Sequence, residues 1–415
     1  MTIVWNASYG AEVDTYEIHV YQVIDILDTP RSALIFTAFE QENTQQKVVL
    51  KVLRAYEDTR YRQATSEGRL ECQREALRKN LVITPDVYHG LGLILEPTFR
   101  EIEEKACERE LQTITLGKIA KDIDEFDRTF TQNGEYALVM AYLPKKRRLN
   151  SLLREESTEK LEKLSELLIK RVARMHSSFL LLEASSRDEL GNLWGSHEQL
   201  NEKLKHNLMH FDFIDQSEHE LFQQYSILKI ALRAFIQHPQ LQAAFEERRC
   251  KHVKQCHGDL KASNIWVETV KQNDDFMQNV RILDAVDFNE SYRNIDVLAD
   301  LAMLIVDIEA NGAQYHDREW RHGRDYKLAT GLIKEYLLLT NQAEDGTVGP
   351  VLTYYLIEKA IVRAIICLVY DRDDRDERQL GKQFLDIAVG HARILSKLLE
   401  MRDMEILLSK RFAAT

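Results

Sequence analysis

The apolar positions of this 415-residue chain change their period once. Up to about residue 142, β-branched and aromatic residues cluster in short runs between polar turns, at 16–28, 33–40 and 47–54. Runs of that length and composition predict antiparallel strands. Residues 66–80 are charged and helical in pattern, Pro85 stops them, and 86–95 return to strand character. The stretch 101–131 is rich in charge, with one short strand expected at 111–116 among loops. Residues 135–142 give one more apolar strand before the break at Leu143 and Pro144.

Beyond Pro144 the period becomes helical. Leu164, Leu168, Val172, Met175 and Phe179 recur at three- and four-residue spacing, which lays one apolar stripe along a long helix. Similar stripes run through 218–236, 327–339, 351–370 and 380–399. The exception is 256–287, where two short apolar pieces, 264–267 and 280–283, flank a polar loop. The expected architecture is α+β: a strand-rich lobe over 1–142 and a helical lobe over 143–415 with one embedded hairpin.

Composition narrows the function classes. With 67 acidic against 55 basic side chains the net charge is −12, which argues against bulk nucleic-acid binding, since phosphate backbones demand a basic surface. Five cysteines without a CxxC pair suggest neither a zinc ribbon nor a disulfide framework. No run approaches the roughly 18 apolar residues of a membrane span, and Met1 to Tyr9 lacks the basic-then-apolar pattern of a secretory signal. A cytoplasmic protein with no membrane partner is expected.

The densest chemistry lies in the octet His257-Gly258-Asp259-Leu260-Lys261-Ala262-Ser263-Asn264. An Asp followed five residues later by an Asn, ahead of an apolar strand, puts two oxygen-bearing side chains on one loop. Asp259 suits a proton acceptor from a substrate hydroxyl, and Asn264 suits a ligand of a hard cation such as Mg2+. Twenty residues on, Asp284 ends the second short strand and adds a carboxylate. In the first lobe Lys51 interrupts the apolar run Val48-Val49-Leu50-Lys51-Val52-Leu53. Pointing inward it needs an anionic partner, which nucleotide phosphates and Glu75 or Glu71 on the next helix would supply; on an edge strand it would point to solvent.

Together these features resemble the protein-kinase-like fold, in its aminoglycoside phosphotransferase and choline kinase branch, where His-Gly-Asp stands in place of His-Arg-Asp. More closely the chain resembles a group of bacterial aminoglycoside-phosphotransferase-like proteins. The octet is one of seven collinear segments that carry the likeness. The others begin at Thr84, Tyr136, Arg171, Asp284, Arg293 and Val362, and with the Lys51 strand they span about residues 45–370. The resemblance implies a bilobal fold, with a small antiparallel-sheet N-lobe that binds nucleotide and a large helical C-lobe that holds the catalytic loop and acceptor site. It implies an ATP-dependent transfer of the γ-phosphoryl group to a hydroxyl of a small molecule. Asp259 would orient or deprotonate that hydroxyl, and Lys261 would steady charge on the transferring group. Asn264 and Asp284 would hold magnesium. Lys51, with Glu75 ranked first as its partner, would contact the phosphates, and Met140 and Tyr142 of the 136–143 hinge would border adenine. Asp300 would brace the catalytic loop, and His257 would pack it.

One departure is the loop between the first two strands, Asp28-Thr29-Pro30-Arg31-Ser32, which carries no glycine. Lys261 also sits where Ser/Thr protein kinases carry a lysine. Only eleven residues separate Asp284 from Asp296, however, too few for the usual peptide-docking segment, which favours a small-molecule acceptor over a protein. A non-catalytic scaffold of the same fold is the other reading, and it has no need of Asp259, Asn264 and Asp284 together.

Overall fold

The period-two runs of the N-terminal part form six antiparallel strands. They are β1 (His19–Asp28), β2 (Ala33–Glu40), β3 (Asn43–Leu53), β4 (Tyr88–Glu101), β5 (Arg109–Ala120) and β6 (Tyr136–Ala141). This computed structural model describes residues 18–28, 32–57, 62–101, 109–129, 134–210, 219–267, 280–311, 324–371 and 374–409. The strands pair in the order β1-β2-β3-β6-β4-β5, and β5 pairs back onto β1, so the sheet closes into a barrel. Alternate residues supply its core: Leu34, Phe36 and Ala38 from β2, Val48, Leu50 and Val52 from β3, Ile114 and Leu116 from β5, Ala137 and Val139 from β6. The turn at 29–31, whose missing glycines the sequence singled out, lies outside the described residues.

Several elements here exceed the sequence expectation, and β4 runs to Glu101 rather than ending at 95. β5 runs the full length Arg109–Ala120 rather than 111–116, because β4 pairs along it from Arg109 to Ala120, while β1 pairs with 113–116. Backbone pairing with β4 carries polar positions such as Arg109 and Glu110 into the strand. Two helices complete this part, α1 (Ser66–Ile83) and α2 (Ile123–Thr129). Thr65 caps α1 by accepting the Gly68 N–H at 3.1 Å. The unexpected α2 buries Phe126 and starts where Asp122 Oδ1 accepts the Glu125 N–H at 2.8 Å. That Asp-x-x-Glu start signal stands in the sequence.

The chain divides into two compact units, 1–144 with 282–290, and 145–281 with 291–415. The second is helical. Its early helices are α3 (Leu149–Glu155), α4 (Thr158–Ser178), α5 (His197–His210), α6 (His219–Ile236) and α7 (Pro239–His252). Three short strands follow, β7 (Val253–Gln255), β8 (Ile265–Val267) and β9 (Val280–Ile282), and then α8 (Glu290–Arg293) and β10 (Asn294–Asp296). The last helices are α9 (Val297–Asn311), α10 (Arg324–Leu339), α11 (Val348–Ile365), α12 (Arg375–Leu398) and α13 (Arg402–Ser409). α11 runs on into a π-helical turn, Ile366–Tyr370. β7 pairs with β10 and β8 with β9, which frames the 257–264 loop with short ladders. Among the described residues no helix is long and apolar enough to cross a membrane.

Candidate active site

The 257–264 loop is organised by one buried carboxylate. Asp300, in the first turn of α9, accepts the His257 N–H on Oδ2 and the Gly258 N–H on Oδ1, both at 2.9 Å. Gly258 has φ +85°, a left-handed conformation that a side chain would strain, and this turn brings both amides toward Asp300. His176 of α4 meets Asp300 Oδ2 at 3.2 Å and is hydrogen-bonded to the Tyr336 hydroxyl at 2.7 Å on its other nitrogen. Burial opposes the Asp300 charge, but the His176 hydrogen bond and its companions outweigh it and hold the carboxyl below the usual aspartate range. His257 is fully buried and accepts the Asp259 N–H on Nδ1 at 3.3 Å, a packing duty.

Asp259 is half-buried and sits between two donors. Lys261 Nζ lies 2.7 Å from its Oδ2, and Asn264 Nδ2 donates to its carbonyl and to Oδ2 at 3.0 Å each. Burial pushes the Asp259 carboxyl up, yet the Lys261 ammonium and then the Arg363 guanidinium prevail, so the group sits below its ordinary range and is ionised at neutral pH. Asn264 keeps its amide oxygen as the atom able to meet a hard cation.

In the first unit Lys51 and Asp284 form an ion pair at 2.5 Å. β3 lies between β2 and β6, so the edge-strand alternative for Lys51 does not hold, and its side chain is 14% exposed. Asp284 adopts φ +64°, a left-handed conformation uncommon for a non-glycine residue. Three groups fix the backbone around it. Thr84 Oγ1 donates to the Ile282 carbonyl at 2.7 Å, the Tyr88 hydroxyl accepts the Asp284 N–H at 3.0 Å, and Asn80 Oδ1 accepts the Ala285 N–H at 3.1 Å. Burial, then the Asp284 charge, keep the Tyr88 phenol protonated far above its ordinary range.

The remaining expected residues fall in the same unit. Glu75 on α1 is held by Arg78 one turn on, while Gln73 on that helix reaches the Lys51 carbonyl at 3.3 Å. Met140 stands one residue before the end of β6, opposite Tyr88 and Val49. The Tyr142 N–H goes to the Lys47 carbonyl at 3.4 Å, and the Lys47 ammonium lies 4.5 Å from the Tyr142 ring centre. The neighbouring Ala141 N–H is taken by Val87 at 2.8 Å, so two amides of this hinge are engaged inside the unit.

Solved kinase and phosphotransferase structures are similar to the chain. An ethanolamine kinase of Plasmodium vivax has a TM-score of 0.43 at 13% identity, over 91% of this chain and 83% of that one. The GDP complex of aminoglycoside 2'-phosphotransferase-IIIa gives 0.43 at 12% identity, over 89% and 94%. An ADP-bound aminoglycoside phosphotransferase gives 0.40 at 13% identity, over 90% and 95%. TM-scores of this size assign neither family nor activity. No protein-family model matches the chain, and no curated protein does.

Several residues that fix one or the other of these constellations carry no role in the sequence reading: Asn80 and Tyr88 in the first unit, Tyr336 and Asp307 in the second. Asp307 had a signal. α9 is almost wholly apolar, VLADLAMLIVDIEAN, and a buried acid in such a helix requires a partner. Asn80 and Tyr88 had none, since each acts on a segment about two hundred residues away.

Proposed function

We propose that the chain is an ATP-dependent phosphotransferase that moves the γ-phosphoryl group of Mg·ATP to a hydroxyl of a small molecule. The observation that carries this reading is Asp259, ion-paired with Lys261 and hydrogen-bonded by Asn264 on a loop whose amides are tied to buried Asp300. A loop with a merely structural turn has no use for an ionised carboxylate placed beside an ammonium.

The chemistry follows from the charges. A carboxylate held below its usual range is always ionised at neutral pH but is a weak base, so Asp259 acts first by orienting the acceptor hydroxyl. The hydroxyl oxygen bonds to the γ-phosphorus as the bond to the β–γ bridging oxygen breaks. ADP departs, and the hydroxyl proton passes to the Asp259 carboxylate late in the step. Such a sequence suits a loose transition state with little nucleophilic push. Lys261 opposes the charge spread over the phosphoryl oxygens. Lys51 serves the α- and β-phosphates, with Met140 and Tyr142 toward the base. Asn264 and Asp284 each bring an oxygen of the hard type that Mg2+ takes, and the ion, when bound, neutralises phosphate charge. Glu75 remains the carboxylate assigned to support Lys51.

The test is incubation of the purified protein with γ-labelled ATP, Mg2+ and a cell extract, followed by separation of protein from metabolites. Label in the metabolite fraction that disappears with Asp259→Asn is the expected result. Label in protein would make the acceptor a polypeptide, and no transfer to either fraction would overturn the reading.

A further inference from the structure

The α9 helix carries a second carboxylate aimed at the same loop. Asp307 lies seven residues, two turns, beyond Asp300, hence on the same face. Its Oδ2 accepts the Ala262 N–H at 2.7 Å. The loop is therefore anchored on α9 at both ends, at His257 and Gly258 through Asp300 and at Ala262 through Asp307, and Asp259 and Lys261 stand between the anchors. The two carboxylates are met by different partners. Asp300 is met by the His176 ring, whereas Asp307 Oδ1 receives the Arg363 guanidinium, with Nε at 3.2 Å and Nη2 at 3.1 Å.

Arg363 is in the last turn of α11, immediately before the π-helical turn, and its guanidinium lies 5.1 Å from the Phe384 ring centre on α12. An i→i+5 turn admits an extra residue, a feature common at functional positions. One turn on, Cys367 Sγ approaches Glu377 Oε2 at 3.3 Å. The charged and titratable groups around Arg363 are Asp307, Cys367, Asp259 and Glu377. Those around Asp259 are Lys261, Arg363 and His257.

We propose that Arg363 is a positioning residue of the catalytic loop: through Asp307 it fixes the Ala262 end, and so the direction in which Asp259 and Lys261 face. The inference deepens the phosphotransferase reading, but its geometry concerns the loop alone. A guanidinium serves this duty better than an ammonium, because two of its N–H groups converge on one carboxylate oxygen and keep Asp307 Oδ2 turned toward Ala262.

The experiment uses the full chain with Arg363→Met and Arg363→Lys. It reads hydrogen exchange at the Ala262 and Gly258 amides by NMR. Arg363→Met is expected to speed exchange at Ala262 at least tenfold while leaving Gly258, held by Asp300, unchanged. Arg363→Lys keeps the charge without the fork, so Ala262 exchange stays faster than wild type. Wild-type Ala262 protection in folded Arg363→Met would overturn the proposal. So would equal acceleration at Gly258 and Ala262 in both variants, which would mark a general loosening. If Arg363→Met does not fold, Arg363→Lys decides alone, by Ala262 exchange faster than wild type or equal to it. Absence of phosphoryl transfer in the wild type would fell the functional reading and leave these amide measurements valid.

Discussion

Asn264 and Lys261 converge on the same oxygen of Asp259: Nδ2 of the first lies 3.0 Å and Nζ of the second 2.7 Å from Oδ2. The carboxylate is thereby fixed in rotation, and Oδ1 takes no donor among the described residues. On the phosphotransferase reading proposed above, that oxygen would receive the acceptor hydroxyl.

Asp259→Asn should lower phosphoryl transfer by about 10²–10⁴-fold while the protein stays folded, as measured by turnover and circular dichroism. The wild-type pH profile should show no Asp259 limb between pH 7 and about pH 5, because, against the opposing effect of burial, the Lys261 ammonium holds the carboxyl below the ordinary aspartate range. A loss of rate centred near pH 6 that Asp259 variants abolish would contradict this.

The left-handed Asp284 separates fold from binding. Asp284→Gly relieves a backbone cost of about 1–2 kcal/mol while deleting the carboxylate. It should keep the melting temperature near wild type and lose Mg2+-dependent nucleotide affinity. Asp284→Ala keeps the strained backbone and should melt below the glycine variant. Calorimetry and nucleotide titration read both.

Tyr88→Phe removes the acceptor of the Asp284 N–H and nothing else in shape. An unmet amide costs about 1–3 kcal/mol, so denaturant midpoints should fall accordingly. Nucleotide affinity should weaken with them, since the segment carrying Asp284 loses one of its fixed points.

Asp300 gives a stability prediction with a sign. Its folded carboxyl is held below its unfolded value, so its contribution is fully present above the unfolded pKa of about 3.9 and is lost as pH falls through the folded value. Asp300→Asn, which breaks a buried hydrogen-bonded charge, should cost about 3–5 kcal/mol at pH 7. The gap between variant and wild type should narrow below pH 4 in equilibrium unfolding.

Legibility in sequence followed distance along the chain. The strands Ala33–Glu40 and Asn43–Leu53 announced themselves by runs of β-branched and aromatic residues at 33–40 and 47–54, and the 257–264 loop by the adjacency of its polar groups. What stayed hidden was non-local. The pairing of β1 with β5 that closes the barrel leaves no mark on either segment. Lys51 meets Asp284 across 233 positions, a distance along the chain that no local pattern marks. α5 and α7 were missed for another reason. α7 buries Leu241, Ala244, Phe245 and Arg248, the spacing of a helix, but fills the rest with charge and counts an arginine among its core. That arginine is paid for by Asp296, which takes its Nε at 2.7 Å and its Nη2 at 2.9 Å.

A closed ring of strands has no border. Because β1 joins β2 to β5, each of the six barrel strands among the described residues has a paired neighbour on both sides. Deleting β1 would create two rows of bare amides at once. A chain shortened past Asp28 should therefore assemble with its own copies, and light scattering would register the change before any assay of chemistry did.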